Sequence, residues 1–368
     1  MKVVIVLPTY CEAENIEGVV EKIEEVTSRL QNYEFQILVL DDFSPDGTAD
    51  KVKRLQKKFS NVILLSGKKE GLGKAYLRGM NYAVKELNAE VMFEMDADFS
   101  HDPEVIPEFM GKIETGADFV IGSRYIKGGS IPDNWGLHRK IFSVIGNLIV
   151  RIGLGIFKIH DWTSGYRAIK VAVFQKVGGN LSQYSGYTFQ VVFLHRVFKA
   201  GFKIAEVPIN FTDRKFGHSK IAPFDYIKNI LLYVLSNSTF IKYVIVGGLS
   251  FIINAVALEI FYRMGFNPGI AAAIGAEMAI VWNYNLNNAW TFSEKKIKIS
   301  RRYVLKFLQF NFTSLGAILI QAMVVGVGTF FFGNQFRLIL FALAVIFFII
   351  PYNYFIYNRF IWKTHEKA

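Results

Sequence analysis

Cysteine is almost absent from this chain of 368 residues, which has one, Cys11. A single thiol excludes a disulfide framework and a zinc site built from several cysteines, and it agrees with a reducing compartment.

Charged side chains are scarce in the C-terminal part of the chain, where Arg337 is the only one between Phe307 and Asn358. A soluble core rarely runs so long without charge, so this part of the chain is expected to lie in a membrane. No secretory signal is expected, because Met1 leads directly into a strand-like run.

Negative charge is scarce relative to positive charge. Lys and Arg number 42 against 31 Asp and Glu, which gives a net charge of +11. Such a surplus suits nucleic acid, an anionic membrane surface or phosphorylated substrates. The cations concentrate in candidate phosphate-binding loops and beside the apolar segments. We therefore expect a lipid bilayer and phosphates as partners, and no nucleic acid.

The first half of the chain alternates short apolar runs with segments of helical periodicity. The candidate strands are residues 3–7, 35–40, 62–66, 91–95 and 119–122, and helical periodicity covers residues 16–30 and 74–87. Strands that alternate with helices predict an α/β fold with a mostly parallel, doubly wound sheet. Ligands bind such sheets beyond the carboxyl ends of the strands, so the residues that follow each run are candidates for the site.

From about residue 240 the apolar segments reach the length of about 20 residues that crosses a bilayer. We count four of them, at residues 240–262, 269–289, 304–332 and 338–357. The sequence therefore predicts two domains, residues 1–235 and residues 236–368. The second is expected to be an all-α transmembrane domain of four helices in two hairpins.

Basic residues give the expected orientation of these spans. Residues 293–306 carry six cations and one acid, and the C-terminal tail adds Arg359, Lys363 and Lys367. The loops on the other side hold little beyond Arg263 and Arg337. By the positive-inside rule, the N-terminal domain and the C-terminus are expected in the cytoplasm, on the cell membrane if the source is a prokaryote.

A short motif occurs twice in the apolar half. Residues 283–288 read NYNLNN and residues 353–358 read NYFIYN, each at the end of a predicted span. Two copies favour an internal repeat of two hairpins in the same orientation. The alternative is that aromatic and asparagine side chains anchor helix ends at the membrane interface without any repeat.

Acidic side chains follow two of the predicted strands. Asp41 and Asp42 come after the second run, and Asp96-Ala97-Asp98 comes after the fourth. Two carboxylates in such a turn can share a divalent cation, and oxygen ligands favour Mg²⁺ or Mn²⁺ over zinc. An isolated Asp-x-Asp is more often a turn or a helix cap, but the second acidic strand end favours the metal.

The glycine-rich stretch at residues 67–75 resembles a phosphate loop only superficially. The spacing from Gly67 to Gly73 is one residue too long for a Walker A motif, and Ala75 replaces the metal-binding hydroxyl. Two interpretations remain, a helix start close to a nucleotide and a plain left-handed turn.

Several motifs together resemble the family 2 inverting glycosyltransferases of GT-A fold, and more narrowly the dolichyl-phosphate mannose synthases. They are residues 8–15 (PTYCEAEN), 41–47 (DDFSPDG), 95–101 (MDADFSH), 122–125 (GSRY), 163–167 (TSGYR) and 214–220 (RKFGHSK). The four-span tail is similar to the GtrA-like domains fused to some microbial members. The resemblance implies a Rossmann-like catalytic domain with interfacial helices and a transmembrane domain behind it.

The resemblance also implies roles for particular residues. Those expected around the nucleotide sugar are Pro8, Tyr10, Glu12, Leu40, Asp42, Asp96, Ala97, Asp98, Arg124, Arg214 and Lys220. Asp96 and Asp98 would hold the metal. Ser100 is a third candidate ligand, at a position where some members have an amide; the alternative ligand there is water. Arg214 and Lys220 match the basic loop that closes over the sugar nucleotide. They are expected to act in catalysis together with Asp96 and Asp98.

The acceptor phosphate is expected at Arg124, Arg139 and Ser143 by the same resemblance. Arginines suit this role physically, because a guanidinium binds phosphate through two parallel hydrogen bonds. An apolar stretch at residues 141–157 follows them and could rest on the bilayer. The alternative is that both arginines lie on a solvated face and bind no ligand.

A missing carboxylate points to the kind of acceptor. Relatives that transfer to a sugar hydroxyl place a carboxylate base on a helix below the acceptor, whereas residues 185–190 (SGYTFQ) contain none. A phosphate monoester is already an anion at neutral pH and needs no base. The expected reaction is inverting transfer of mannose from GDP-mannose to dolichyl or another polyprenyl phosphate at the cytoplasmic membrane face. The alternatives are a polyprenyl-phosphate glucosyl- or N-acetylglucosaminyltransferase that uses a UDP-sugar, and a lipid-linked sugar flippase with a nucleotide-binding domain.

Overall fold

In the computed structural model the chain is described over residues 1–184, 186–213 and 223–362. It divides into two compact units. The first unit consists of Met1–Ile152 and Ile156–Val234, and the second of Gly153–Gly155 and the chain from Leu235 onward.

The first unit is built on a seven-stranded sheet with the order β3-β2-β1-β4-β6-β5-β7. Its strands are β1 (Lys2–Thr9), β2 (Glu34–Asp41), β3 (Val62–Ser66), β4 (Val91–Glu94), β5 (Phe119–Ser123), β6 (Arg167–Lys170) and β7 (Ile204–Pro208). Only β6 runs antiparallel to its neighbours β4 and β5. The mostly parallel α/β sheet is confirmed, while β6 and β7 are additional strands that the apolar pattern did not indicate.

Helices cover both faces of this sheet, as expected when the inner strands are apolar on both sides. They are α1 (Ile16–Thr27), α2 (Thr48–Lys58), α3 (Leu72–Lys85), α4 (Ile106–Glu114), α6 (Val171–Val177) and α7 (Gly186–Lys199). The unit also contains most of α5 (Leu137–Leu154) and most of α8 (Pro223–Asn237). In β1, residues Val3 to Leu7 are fully buried, and they form the centre of the core.

One helix of this unit exposes an apolar face, which we call the α5 stripe. Its large side chains are 43–73% exposed and follow one another at helical spacing: Leu137, Ile141, Phe142, Val144, Ile145, Leu148 and Ile152. The opposite side of the helix packs inward through Asn147 and Val150. The helix therefore exposes its apolar face, whereas a surface helix of a soluble domain buries that face against the core.

The second unit is helical. It contains α9 (Thr239–Arg263), α10 (Pro268–Leu286), α11 (Arg301–Phe332), α12 (Arg337–Ala344) and α13 (Ile350–Ile356), with π-helical turns at Asn287–Thr291, Val345–Ile349 and Tyr357–Ile361. Helical segments thus occupy each of the four predicted spans. Within the described ranges, Thr239–Arg263 and Ala342–Ile361 are long and apolar enough to cross a membrane.

The two copies of the asparagine-aromatic motif adopt the same local structure. Each leads into a π-helical turn, which the N–H of Phe292 or of Trp362 closes by donating to the carbonyl five residues earlier. One tyrosine of each copy also packs against two rings of the other hairpin: Tyr284 against Phe307 and Phe310, and Tyr354 against Phe240 and Tyr243. The copies therefore share a conformation and an aromatic environment, as a repeat requires.

Candidate active site

The carboxyl ends of β1 and β2 bring five of the predicted nucleotide residues together. In the parallel register Pro8 lies beside Leu40 and Thr9 beside Asp41. The loops beyond are tied to each other, because Asp42 N donates to Thr9 O at 3.1 Å and Glu12 N donates to the Thr48 hydroxyl at 3.0 Å. Tyr10, Glu12 and Asp42 thus lie at one edge of the sheet.

The glycine-rich stretch and helix α3, which follows it, each add one cation to this edge. Gly71 caps the helix with φ +98°, a conformation that favours glycine. Arg78 Nη2 lies 2.6 Å from Asp42 Oδ1, and Lys69 Nζ lies 3.4 Å above the centre of the Tyr10 ring. The stretch therefore leads into a helix start beside the predicted nucleotide residues, and Gly71, with ψ +157°, does not adopt the αL conformation of a plain left-handed turn.

The Asp-x-Asp turn follows β4 directly, and buried partners hold Asp96. Its Oδ1 accepts a hydrogen bond from Tyr76 at 3.3 Å, and its N–H donates to His101 Nδ1 at 3.0 Å. Burial lowers the pKa of His101 and raises that of Tyr76, so both rings are neutral at pH 7. Since His101 Nδ1 accepts, its ring proton is on Nε2.

Asp98 is 4% exposed, and Ser100 holds it. Its Oδ1 accepts from the N–H and the hydroxyl of Ser100, at 3.1 and 2.5 Å. The Ser100 hydroxyl thus orients the Asp98 carboxylate, and its role as a direct ligand stays a prediction.

The oxygen donors of this turn fit Mg²⁺ or Mn²⁺. Such ions bind through one or two carboxylates and complete their shell with water and substrate phosphates. Across the described ranges, no group of three or more His, Cys, Asp or Glu side chains could hold a metal by itself. Asp96 and Asp98 would then supply the protein's share of the shell.

A buried ion pair lies one strand residue before the turn. Glu94 and Arg167 are both fully buried, with Oε2 and Nε 3.8 Å apart. Burial raises the pKa of Glu94 to about 7, against the opposing effects of Arg167 and Gln190. Arg167 also donates to the carbonyls of Ser164 and Gln190 at 2.9 and 3.1 Å. Arg167 therefore holds the 162–164 loop and α7 against the sheet.

Arg124, which follows β5, is 7% exposed and paired side-on with the fully buried Asp161. Nε lies 2.7 Å from Oδ2 and Nη2 lies 2.8 Å from Oδ1. Nη2 also donates to the Thr163 hydroxyl at 2.8 Å. The structure thus directs one edge of the guanidinium to a protein carboxylate, and a phosphate role for Arg124 has to use the other edge.

Arg139 and Ser143 are placed differently from Arg124. The Arg139 guanidinium is 42% exposed, stacks on the Trp135 ring at 3.9 Å, and reaches Asp213 at 3.3 Å. The Ser143 hydroxyl lies 2.5 Å from the Tyr125 hydroxyl. Phe211 joins this group to Arg124, since its ring lies 5.8 Å from Trp135 and 5.5 Å from the Arg124 guanidinium. The three predicted acceptor residues therefore belong to one region, at the start of α5.

Comparison with known proteins places the chain in a family. Residues 4–178 match the model of Glycosyl transferase family 2, and residues 242–362 match that of the GtrA/DPMS transmembrane domain. A dolichol-phosphate mannosyltransferase of Pyrococcus furiosus is 32% identical over 333 residues, which is 88% of this chain and 90% of that protein. The chain belongs to this family of glycosyltransferases. Residues 242–362 are accordingly its transmembrane domain.

Two further relatives match a shorter part of this glycosyltransferase. A polyprenol monophosphomannose synthase of Mycolicibacterium smegmatis is 37% identical over 224 residues, 60% of this chain and 81% of that protein. An undecaprenyl-phosphate mannosyltransferase of Micrococcus luteus is 37% identical over 223 residues, 60% of this chain and 88% of that protein.

Two predicted residues of this glycosyltransferase, Arg214 and Lys220, lie outside the described residues. Others that sequence reasoning missed are in place around the predicted ones: Tyr76, Arg78, His101, Asn147, Asp161 and Thr163. His101 and Thr163 fall inside the quoted motifs, and that proximity was the available signal. Arg78 and Asp161 carry no local signal, because only the tertiary fold brings them to Asp42 and Arg124.

Proposed function

We propose that this glycosyltransferase transfers mannose from GDP-mannose to dolichyl or another polyprenyl phosphate, with inversion at the anomeric carbon. The names of the relatives support the sugar and the acceptor class. The guanine nucleotide rests on the resemblance to the dolichyl-phosphate mannose synthases. The chain is then a dolichyl-phosphate mannosyltransferase.

The observation that carries this function is the arginine pair beside the α5 stripe. Arg139 lies in the first turn of α5, and the exposed apolar side chains of the same helix begin at Leu137. A lipid phosphate needs cations at the depth of its headgroup and an oily surface next to them. A water-soluble acceptor would need only the cations.

In this proposal the donor lies across the ends of β1, β2 and β4. Tyr10, Glu12 and Asp42 face the nucleoside, with Pro8 and Leu40 beneath it. Asp96 and Asp98 hold Mg²⁺ or Mn²⁺, with Ala97 and Ser100 completing that turn. The metal, when bound, offsets the negative charge of the leaving diphosphate.

The reaction is a single displacement. A phosphate oxygen of the acceptor attacks the anomeric carbon, the bond from that carbon to the diphosphate breaks, and GDP leaves. Arg124, Arg139 and Ser143 hold the acceptor phosphate, while Arg214 and Lys220 neutralise the leaving group. The chain needs no general base, because the attacking phosphate has no proton to lose above its second pKa near 6.

The chain would work as two domains, a cytoplasmic catalytic domain at residues 1–235 and a transmembrane domain at residues 236–368. The chain would cross the membrane four times, and two of these spans lie in helices that are long and apolar enough to do so. An even number of spans would leave both termini in the cytoplasm. The α5 stripe would lie in the headgroup region of the cytoplasmic leaflet.

A donor panel tests the proposal directly. Purified full-length protein is given GDP-mannose, UDP-glucose or UDP-N-acetylglucosamine, each radiolabelled in the sugar, with a polyprenyl phosphate and Mg²⁺ or Mn²⁺. We expect label in an organic-extractable product only from GDP-mannose. A preference for a UDP-sugar would replace the mannose assignment, and no transfer from any donor would favour the flippase alternative.

A further inference from the structure

Asp161, the buried partner of Arg124, accepts hydrogen bonds from several groups of the protein. It is fully buried and accepts from three backbone N–H groups, those of Arg124, Thr163 and Ser164, at 3.1, 3.3 and 3.1 Å. Burial by itself would raise the pKa of this carboxyl, but Arg124 and these donors lower it below its ordinary value. Asp161 is therefore ionised near neutral pH.

The backbone that carries Asp161 is anchored from a second side. Glu206, on β7, accepts from the N–H groups of His160 and Asp161 at 3.0 and 3.2 Å. Its other oxygen lies 2.7 Å from His160 Nδ1. The carboxylate of Asp161 is thus fixed before any substrate arrives, and Arg124 is the side chain that adapts to it.

The same network reaches the helix that carries Arg139 and Ser143. Asn147, on the inward side of α5, accepts from Trp162 N at 2.7 Å and donates to Ser143 O at 3.0 Å. Its amide also lies 3.4 Å from the Thr163 hydroxyl, which accepts from Arg124. One buried chain of hydrogen bonds therefore connects Asp161 to the predicted acceptor residues.

We infer that Asp161 is the positioning residue of the acceptor site, which fixes the orientation of the Arg124 guanidinium that meets the lipid phosphate. This inference rests on the proposed function. A guanidinium that is pre-oriented loses less side-chain entropy when it binds phosphate, and its planar fork makes the angle of approach matter. Thr163 fixes the rotation of the fork, and Asn147 fixes Thr163 relative to α5.

The test separates acceptor binding from stability. Asp161→Asn keeps the shape of the side chain and removes its charge. In full-length protein we expect the KM for polyprenyl phosphate to rise by about 10-fold to 100-fold, the effect of a lost hydrogen bond between charged groups. The KM for GDP-mannose is expected to change by less than about twofold, because Asp161 does not lie at the ends of β1, β2 or β4.

The matched control is Asp118→Asn. Asp118 also accepts from a backbone N–H, that of Lys203 at 3.0 Å, and pairs with Lys170 at 3.2 Å, but it precedes β5 whereas Arg124 follows it. This control is expected to lower the melting temperature at most and to leave both KM values unchanged. An equal rise in acceptor KM for both variants would overturn the inference.

A double-mutant cycle with Arg124→Lys shows whether Asp161 acts through Arg124. We expect Arg124→Lys to raise the acceptor KM and to remove most of the further effect of Asp161→Asn. Full additivity of the two effects overturns the inference, and an acceptor KM unmoved by Arg124→Lys overturns the acceptor site itself. Should Asp161→Asn fail to fold, Thr163→Val carries the test. It removes one bond to Arg124, and an unchanged acceptor KM in it would count against the inference.

Discussion

Asp98 carries the metal assignment at the scale of a single residue. Its Oδ1 is oriented by Ser100, and we propose that the carboxylate binds Mg²⁺ or Mn²⁺. We expect Asp98→Asn to lower metal-dependent transfer by about 100-fold or more, because an amide is a weaker ligand for a hard cation. Binding of Mn²⁺, followed by electron paramagnetic resonance, should weaken in parallel.

The control for this prediction lies four residues further along. Asp102→Asn changes the same kind of side chain in an exposed position, where Asp102 caps the short helix Pro103–Val105. It should leave turnover and Mn²⁺ binding unchanged. Wild-type rates that persist in excess chelator would contradict the metal assignment.

Arg139 allows a sharper test of the acceptor than Arg124, because it is half exposed and its loss leaves no buried charge behind. Arg139→Ala is expected to raise the acceptor KM by about 10-fold and to leave the donor KM within about twofold. Arg139→Lys should recover only part of the loss, because a lysine offers a point charge and no planar fork. An equal change in both KM values would place Arg139 outside the acceptor site.

For single residues, the sequence predicted where a side chain lies in the fold better than which side chain it pairs with. Asp96, Asp98 and Asp42 lie at strand ends, where the pattern of apolar runs put them. Arg124 was expected to face a phosphate with its fork, whereas one edge of that fork is engaged by Asp161, a residue 37 positions later. No local pattern reveals such a pair, since it depends on how the 160–164 loop returns to β5.

Helix α5 carries the clearest prediction at the scale of an element. Phe142 is 61% exposed on the α5 stripe, and we expect it to enter the bilayer. Phe142→Asp should lower turnover of polyprenyl phosphate in lipid nanodiscs at least about fivefold, because a charge in the apolar region is costly. Turnover of a short, water-soluble isoprenoid phosphate should be unchanged.

As a control, Phe59→Asp, at the end of α2 in the same unit, makes the same change of side chain at a half-buried position that packs against the core. Any loss it causes should be the same with the lipid and the soluble acceptor. If Phe142→Asp also loses the same factor with both acceptors, the α5 stripe is a structural face and has no part in lipid capture.

The apolar character of a strand, more than its length, explains which elements the sequence indicated, since β4 has only four residues but all of them are buried. The apolar runs of β1 and β2 have eight residues each and were recognised to within two residues. Strand β6 has four residues with a charge at each end, and β7 is only partly buried, so neither gives a periodic signal. Both lie beyond β4, and β6 is the strand that brings Arg167 beneath the Asp-x-Asp turn.

The topology of the whole molecule gives a further prediction. If the positive-inside rule holds, residues 295–302 and the C-terminus are both cytoplasmic. Protease added to sealed, right-side-out vesicles should cleave neither of them, whereas permeabilised vesicles should lose both. A reporter enzyme that is active only outside the cytoplasm should be inactive when it is fused to the C-terminus. Cleavage of both sites from outside would reverse the orientation.

The chemistry of the whole reaction predicts how transfer depends on pH and on the acceptor's headgroup. No base is proposed, so the acceptor must arrive ionised, and efficiency with polyprenyl phosphate should rise as the pH passes the second phosphate pKa near 6. The lowered pKa of Asp161 keeps that carboxylate charged over the same range, so its titration cannot account for the rise.

Polyprenol has no anion for Arg124 and Arg139 and no nucleophile that is ionised at neutral pH, and we expect it to accept no mannose. Initial rates with both lipids from about pH 5 to pH 8, at saturating donor, make the comparison. Equal rates with polyprenol and its phosphate would show that the acceptor site lies elsewhere and that the chain does contain a base. A phosphate profile that rises only above pH 7 would place a titrating protein group, rather than the acceptor, in control of the reaction.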